Sequence, residues 1–103
     1  MDRELVWSDA AVSDLQNTAE YISRDSPAYA ASFVRHVLAA AVSIHHMPES
    51  GGIVLEYNDV NLREVLVGSH RVVYSLDESA IRIVAIIHGA RQIQNVIDDR
   101  HDG

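Results

Sequence analysis

The sequence predicts an α+β fold: an N-terminal strand and an α-helical hairpin packed on a curved, largely antiparallel sheet, in the order β-α-α-β-β-β-β, with a short C-terminal helix to follow. Three observations carry it. The apolar period is helical from about residue 9 to 46 and becomes strand-like from about residue 51. The two prolines, Pro27 and Pro48, bracket one segment, while all five glycines lie at 51 or beyond. Helices come first and consecutive hairpin strands afterward, the pattern of a helical layer laid on one face of a sheet.

RELVW at 3–7 reads as a short opening strand ending in Trp7. Ser8 and Asp9 then offer side-chain oxygens to the free N–H groups of a helix start. Val12, Leu15, Ala19 and Ile22 follow at helical spacing among polar residues. That helix stops near Arg24-Asp25, because a residue close before a proline disfavours helix. Asp25-Ser26-Pro27 opens the second helix, with Ser26 as cap and Pro27 at the first helical position, where its missing N–H costs nothing. Ala30, Phe33, Val34, Val37, Leu38, Ala41 and Ile44 form its apolar stripe, which runs to about His46. The short connection makes the two helices an antiparallel hairpin.

Gly51-Gly52 turns the chain into IVLEY (53–57), a β-rich run, and Asn58-Asp59 turns it again. LREVLV (62–67) and HRVVYSL (70–76) flank Gly68-Ser69 and predict a β-hairpin. After the Asp77-Glu78-Ser79 turn, AIRIVAIIH (80–88) is apolar on both faces except at Arg82, which predicts a central strand. Residues 90–100 predict a short helix, and 98–103 a frayed tail. One domain accounts for the whole of 1–103, since domains run to roughly 100–150 residues.

Charge and composition exclude several functions. Eight basic residues against fifteen acidic ones give a net charge of −7 with neutral histidines, and all eight basic residues are arginine. Such a balance argues against nonspecific binding to nucleic-acid backbones, which requires summed positive charge. There is no cysteine, so disulfides, thiolate metal sites and a cysteine nucleophile are absent. No signal peptide is visible, and the longest apolar run, around 37–44, is too short to span a bilayer, so a cytoplasmic location with no membrane partner is expected. His45 and His46 are adjacent and His36 lies nine and ten residues away, poor spacing for a shared ion. No metal and no cofactor are expected. Ser26 is a helix cap rather than a nucleophile.

Five ordered segments resemble one family. V-W-S-D-A-A-V-S-D-L (6–15), Y-I-S-R-D-S-P-A-Y-A (21–30), L-R-E-V-L-V (62–67), H-R-V-V-Y (70–74) and I-I-H-G-A-R (86–91) make the chain similar to ParE/RelE-superfamily toxins of type II toxin–antitoxin modules, on the ParE side. The resemblance covers roughly 3–92. It implies the same helix hairpin on a sheet, a cognate antitoxin encoded by an adjacent gene, a toxin–antitoxin hetero-oligomer and a role in plasmid stabilisation. ParE-like members are associated with poisoning DNA gyrase by binding, and RelE-like members cleave mRNA on the ribosome. On this resemblance the chain is expected to inhibit gyrase without catalytic residues of its own. The alternatives are a ribosome-dependent endoribonuclease and a non-toxic binding module of the same fold.

The resemblance singles out Arg63, Arg71, His88 and Arg91 as contacts for antitoxin or target. For a ribonuclease, Arg71 and Arg91 would stabilise phosphate. Against that reading, the strand that would carry paired lysines reads Leu62-Arg63-Glu64, and the position of the expected C-terminal tyrosine is Ile97. Arginine suits either role, because its planar fork meets carboxylate or phosphate bidentately. A purely local role is the other reading of these arginines, with Glu56, Glu64 or Asp77 as the pairing acid. His70, His88 and Glu64 are the candidate acids or bases, His88 being a contact candidate as well, and Gly89 is structural.

Overall fold

A computed structural model describes residues 3–89, 91 and 93–101. Its elements are β1 (Glu4–Trp7), α1 (Asp9–Ser23), α2 (Pro27–His46), β2 (Gly52–Ile53), β3 (Leu62–Val67), β4 (His70–Leu76), β5 (Ala80–His88) and α3 (Ile93–His101). Both helix caps form as their chemistry dictates. Ser8 Oγ accepts from the Ala11 N–H at 3.0 Å, and Ser26 Oγ accepts from the Tyr29 N–H at 3.1 Å.

The strands form one sheet in the order β1-β5-β4-β3-β2. β2, β3, β4 and β5 are antiparallel neighbours, while β1 runs parallel to β5, with Glu4 opposite Ala80 and Trp7 opposite Ile83. The sheet is therefore mixed, and its largely antiparallel character resides in three of its four pairings. The chain between β1 and β5 comprises both helices and β2 to β4, more than the long connection that a parallel pair needs.

Of the run expected as a strand at 53–57 only Ile53 is in β2, opposite Arg63, with Gly52 before it opposite Glu64. Beyond that point the Tyr57 and Asn58 N–H groups fold back on the Val54 carbonyl, and Asn58 takes φ 50°. The physical gain is burial: Val54 is fully enclosed, and Tyr57 packs beside it. Residues 98–101, expected in the tail, instead continue α3.

Two apolar clusters sandwich the sheet. On the hairpin side, Ala11, Phe33, Val37, Ala41 and Ile44 pack against Val72, Tyr74, Ile81, Ile83 and Ile86. On the other side, Val54 and the α3 residues Ile93 and Ile97 cover Leu62, Val73, Ala85 and Ile87. This second layer explains why β5 is apolar on both faces. On the hairpin side, α2 is long and apolar enough to cross a membrane by length and composition, yet places its buried stripe against the sheet.

Gly51 is required by a close approach. A Cβ there would meet the Tyr74 hydroxyl at 2.2 Å and the Glu64 carbonyl at 2.9 Å. That hydroxyl donates to the Pro48 carbonyl at 2.7 Å and accepts the Gly51 N–H at 3.1 Å. Tyr74→Phe leaves both backbone groups without this partner, and is expected to cost about 1–2 kcal/mol in urea melts. Gly68, at φ 59°, supplies the left-handed residue of the β3–β4 turn.

Past Ile83, no strand among the described residues pairs with β5 on its β1 side. Side chains close this edge instead. Asp14 of α1 accepts the Ile86 N–H at 2.9 Å. Arg100 of α3 donates to the Val84 carbonyl at 3.0 Å and to the two Asp14 oxygens at 2.7 and 3.1 Å. An unpaired strand edge invites foreign pairing, and this bridge between α1 and α3 blocks that stretch.

Candidate functional site

The four residues singled out by sequence divide into two pairs. Arg63 and Arg71 are engaged within the fold, while His88 and Arg91 stand exposed at the corner after β5.

Arg63 sits opposite Tyr74 on β3. Its guanidinium donates to the carbonyls of Val60, Glu49 and Gly51 at 3.0, 3.1 and 2.9 Å. It thus ties together the two turns that flank the short β2.

Arg71 lies opposite Leu66 on β3 and Ile87 on β5, and is only 9% exposed. Glu56 meets it with a bidentate fork, Nη1 to Oε2 and Nη2 to Oε1 both at 3.0 Å. Glu64 takes Nε and, at 3.1 Å, Nη2. The Glu64 position follows from the hairpin register, since Glu64 faces Val73 and is therefore the diagonal neighbour of Arg71. The hydrogen bonds to Glu56 and then Glu64 push the guanidinium pKa above its already high value, and the Arg71 contact holds the Glu56 carboxyl below its usual range. Two carboxylates on one guanidinium leave a local net charge of −1. Phosphate approaching this part of the sheet meets negative charge.

The expected ribonuclease tyrosine position is equally closed. Ile97 is 1% exposed and packs in the cluster beneath α3. Arg82, by contrast, is exposed, and its field helps lower the Asp77 carboxyl, whose main stabiliser is the Ser79 N–H. Both line a cleft of about 570 Å³ with Asp59, Ser75 and Arg100, on a part of the surface formed by none of the four candidates.

His88 is exposed, and its ring meets that of His70 in an edge-on pair, centroids 5.2 Å apart. Phe33 of α2 contacts His70 from the core at 5.0 Å. Burial first, and the neighbouring His88 second, hold the His70 pKa below the ordinary value. The chain then bends: the Gly89 N–H donates to the Ser69 carbonyl at 2.8 Å, and the Arg91 N–H to the His88 carbonyl at 3.0 Å. Arg91 is exposed. Among the described residues no three His, Asp or Glu side chains converge as metal ligands.

An apolar groove along the helix hairpin and an exposed sheet edge are the docking places that the sequence offers for an antitoxin segment, without naming their residues. Leu38 and Val42 stand one turn apart on the outer face of α2, 48% and 55% exposed, and Leu66 on β3 is 72% exposed. Their signal was present but ambiguous, because Leu38 fits the stripe assigned to the core.

An α-helical hairpin over a mixed sheet, with Arg63 and Arg71 paired to carbonyls and carboxylates and with His88 and Arg91 exposed at one corner, describes a small α+β protein. The family model described as ParE toxin of type II toxin–antitoxin system, parDE, matches residues 5–93, and the chain belongs to that family. A solved chain described as the chromosomal ParDE TA system from P. aeruginosa is similar in fold, with a TM-score of 0.68 and 16% identity over 84% of this chain and 95% of that one. No match is found among curated protein sequences.

Proposed function

We propose that this ParE-family toxin acts in the cytoplasm by binding, inhibiting DNA gyrase, and that a cognate antitoxin neutralises it by covering the same surface. The observation that carries the non-catalytic reading is the double neutralisation of Arg71 by Glu56 and Glu64. A phosphoryl-transfer site needs uncommitted positive groups where charge develops. Here the sheet arginine in the superfamily position is consumed by the fold, and the tyrosine position holds the buried Ile97.

His88 and Arg91 are the polar contacts in this reading. Leu38, Val42 and Leu66 supply exposed apolar area for an antitoxin segment that folds on binding. In a chain of net charge −7, the interface with an acidic antitoxin draws on apolar burial and local arginine more than on overall attraction.

The test is expression with and without the adjacent antitoxin gene. Expression alone is expected to arrest growth, and co-expression to restore it. Arg91→Ala is expected to relieve toxicity while leaving the thermal midpoint unchanged, because an exposed side chain contributes little to stability. Unimpaired growth without antitoxin would instead mark the chain as a non-toxic binding module.

A further inference from the structure

Arg71 holds two carboxylates that the fold secures differently. Glu64 stands on β3, diagonal to Arg71 in the register, and takes Nε and Nη2. Backbone pairing of the strand keeps it there. Glu56 comes instead from the irregular stretch between β2 and β3, and meets Nη1 and Nη2 at 3.0 Å each. Its side chain is 31% exposed. Val54 before it and Tyr57 after it pack with the second apolar cluster. Rotation of the Glu56 side chain alone therefore frees the outer edge of the guanidinium and leaves that packing in place.

What the fold seats at this edge shows what the edge accepts. A guanidinium takes a carboxylate in a parallel two-bond fork, whether the acid belongs to its own chain or to another. The position of the Glu56 carboxylate is open to solvent, so a foreign acid can reach it. Leu66 lies directly opposite Arg71 on β3, so the two side chains share one face of the sheet, and Leu66 is largely exposed. An arginine edge beside an exposed leucine suits an acidic side chain with an apolar neighbour. Charge favours replacement over addition. Arg71 with Glu56 and Glu64 already sums to −1, and a third carboxylate would be repelled. Substituting one carboxylate for another keeps that sum, and Glu56 regains water.

We propose that Arg71 is a carboxylate-exchange site, at which an acidic side chain of the antitoxin takes the place of Glu56, Glu56 turns out to solvent, and an apolar residue beside the incoming acid covers Leu66. The exchange rests on the antitoxin reading above and deepens it. It gives a chain of net charge −7 a way to receive an acidic partner without adding negative charge around Arg71. In the free chain Glu56 is then an internal competitor of the antitoxin.

Titration calorimetry with purified cognate antitoxin tests the exchange. The apparent affinity of the parent is lowered by the fraction of time the fork is free. Glu56→Gln keeps the shape and removes the charged competitor, so it is expected to bind antitoxin about tenfold more tightly. Glu56→Ala is expected to do the same, and serves if the first variant folds poorly. Glu49→Gln removes the same charge from the exposed turn before β2, and is expected to leave the affinity unchanged. Leu66→Ser, at an exposed position, is expected to weaken binding about tenfold. Binding by the parent with no gain in the Glu56 variants, an equal gain in Glu49→Gln, or full affinity in Leu66→Ser would overturn the exchange and leave the antitoxin reading standing. No binding by the parent would overturn both.

Discussion

Arg71→Met is expected to lower stability by about 3 kcal/mol, enough to reduce Tm by roughly 15 °C in a chain of this size. The cost does not measure the ion pairs themselves. It comes from leaving Glu56 and Glu64 facing each other with no cation between them, one of them mostly shielded from water. Glu56 is the more exposed carboxylate, at 31% against 19%, and can turn toward solvent, which keeps the figure at the low end of the range for broken buried pairs. The double variant Arg71→Met/Glu56→Gln is accordingly expected to recover part of the loss in thermal melts. The pH dependence separates this account from simple loss of packing. In the parent, the Glu56 carboxyl is held low by Arg71, so its contribution is present above about pH 4.5 and disappears as the pH falls through the depressed value. In Arg71→Met the sign reverses, because acid protonates two repelling carboxylates. The gap between parent and variant should narrow on acidification. A gap that stays constant from neutral to acid pH would count against the carboxylate explanation.

Ile97→Ala is expected to cost about 3 kcal/mol, within the range for truncating an enclosed isoleucine. Its effect should concentrate at α3. Ile97 and Ile93 are buried against Val73, Ala85 and Ile87, and Arg100 on the same helix bonds both Asp14 and the Val84 carbonyl. Loosening α3 frees the β5 edge, so exchange at the Ile86 amide should rise along with exchange in α3. Ile97→Tyr should also destabilise, since a ring overfills the enclosed position. A gain of mRNA-cleaving activity in that variant would mean that the face beneath α3 retains catalytic capacity.

Local chemistry was the legible part of the fold. The Ser8 and Ser26 caps, Pro27 at a helix start and the two-residue Gly68-Ser69 turn each specify an element from within a few residues of chain. The double-sided apolar pattern of β5 announced a covered sheet without saying what covers its second face. Residues 53–57 misled because Ile53, Val54 and Leu55 have strand composition. The deciding interaction is the fold-back of Tyr57 and Asn58 onto the Val54 carbonyl, which backbone propensity does not reveal. The Asp14–Arg100 bridge joins groups 86 residues apart, and no local pattern announces it.

The candidate site was legible to a similar degree. Glu56 and Glu64 were already among the acids within reach of Arg71, but choosing between a structural and a contact role required the register that buries the guanidinium. Arg63 could not be assigned to three carbonyls from sequence, because those carbonyls belong to turns whose conformations depend on the whole sheet. For His88 and Arg91 the corner geometry adds exposure and a fixed backbone, while the contact role is what the proposed function assigns to them.

The most direct measurement places purified protein in two reactions side by side, DNA supercoiling by gyrase and mRNA cleavage in a translating extract. Binding without catalysis predicts that the protein inhibits supercoiling, that cognate antitoxin restores it, and that the mRNA stays intact. Full supercoiling at saturating protein, together with cleaved mRNA, would contradict it.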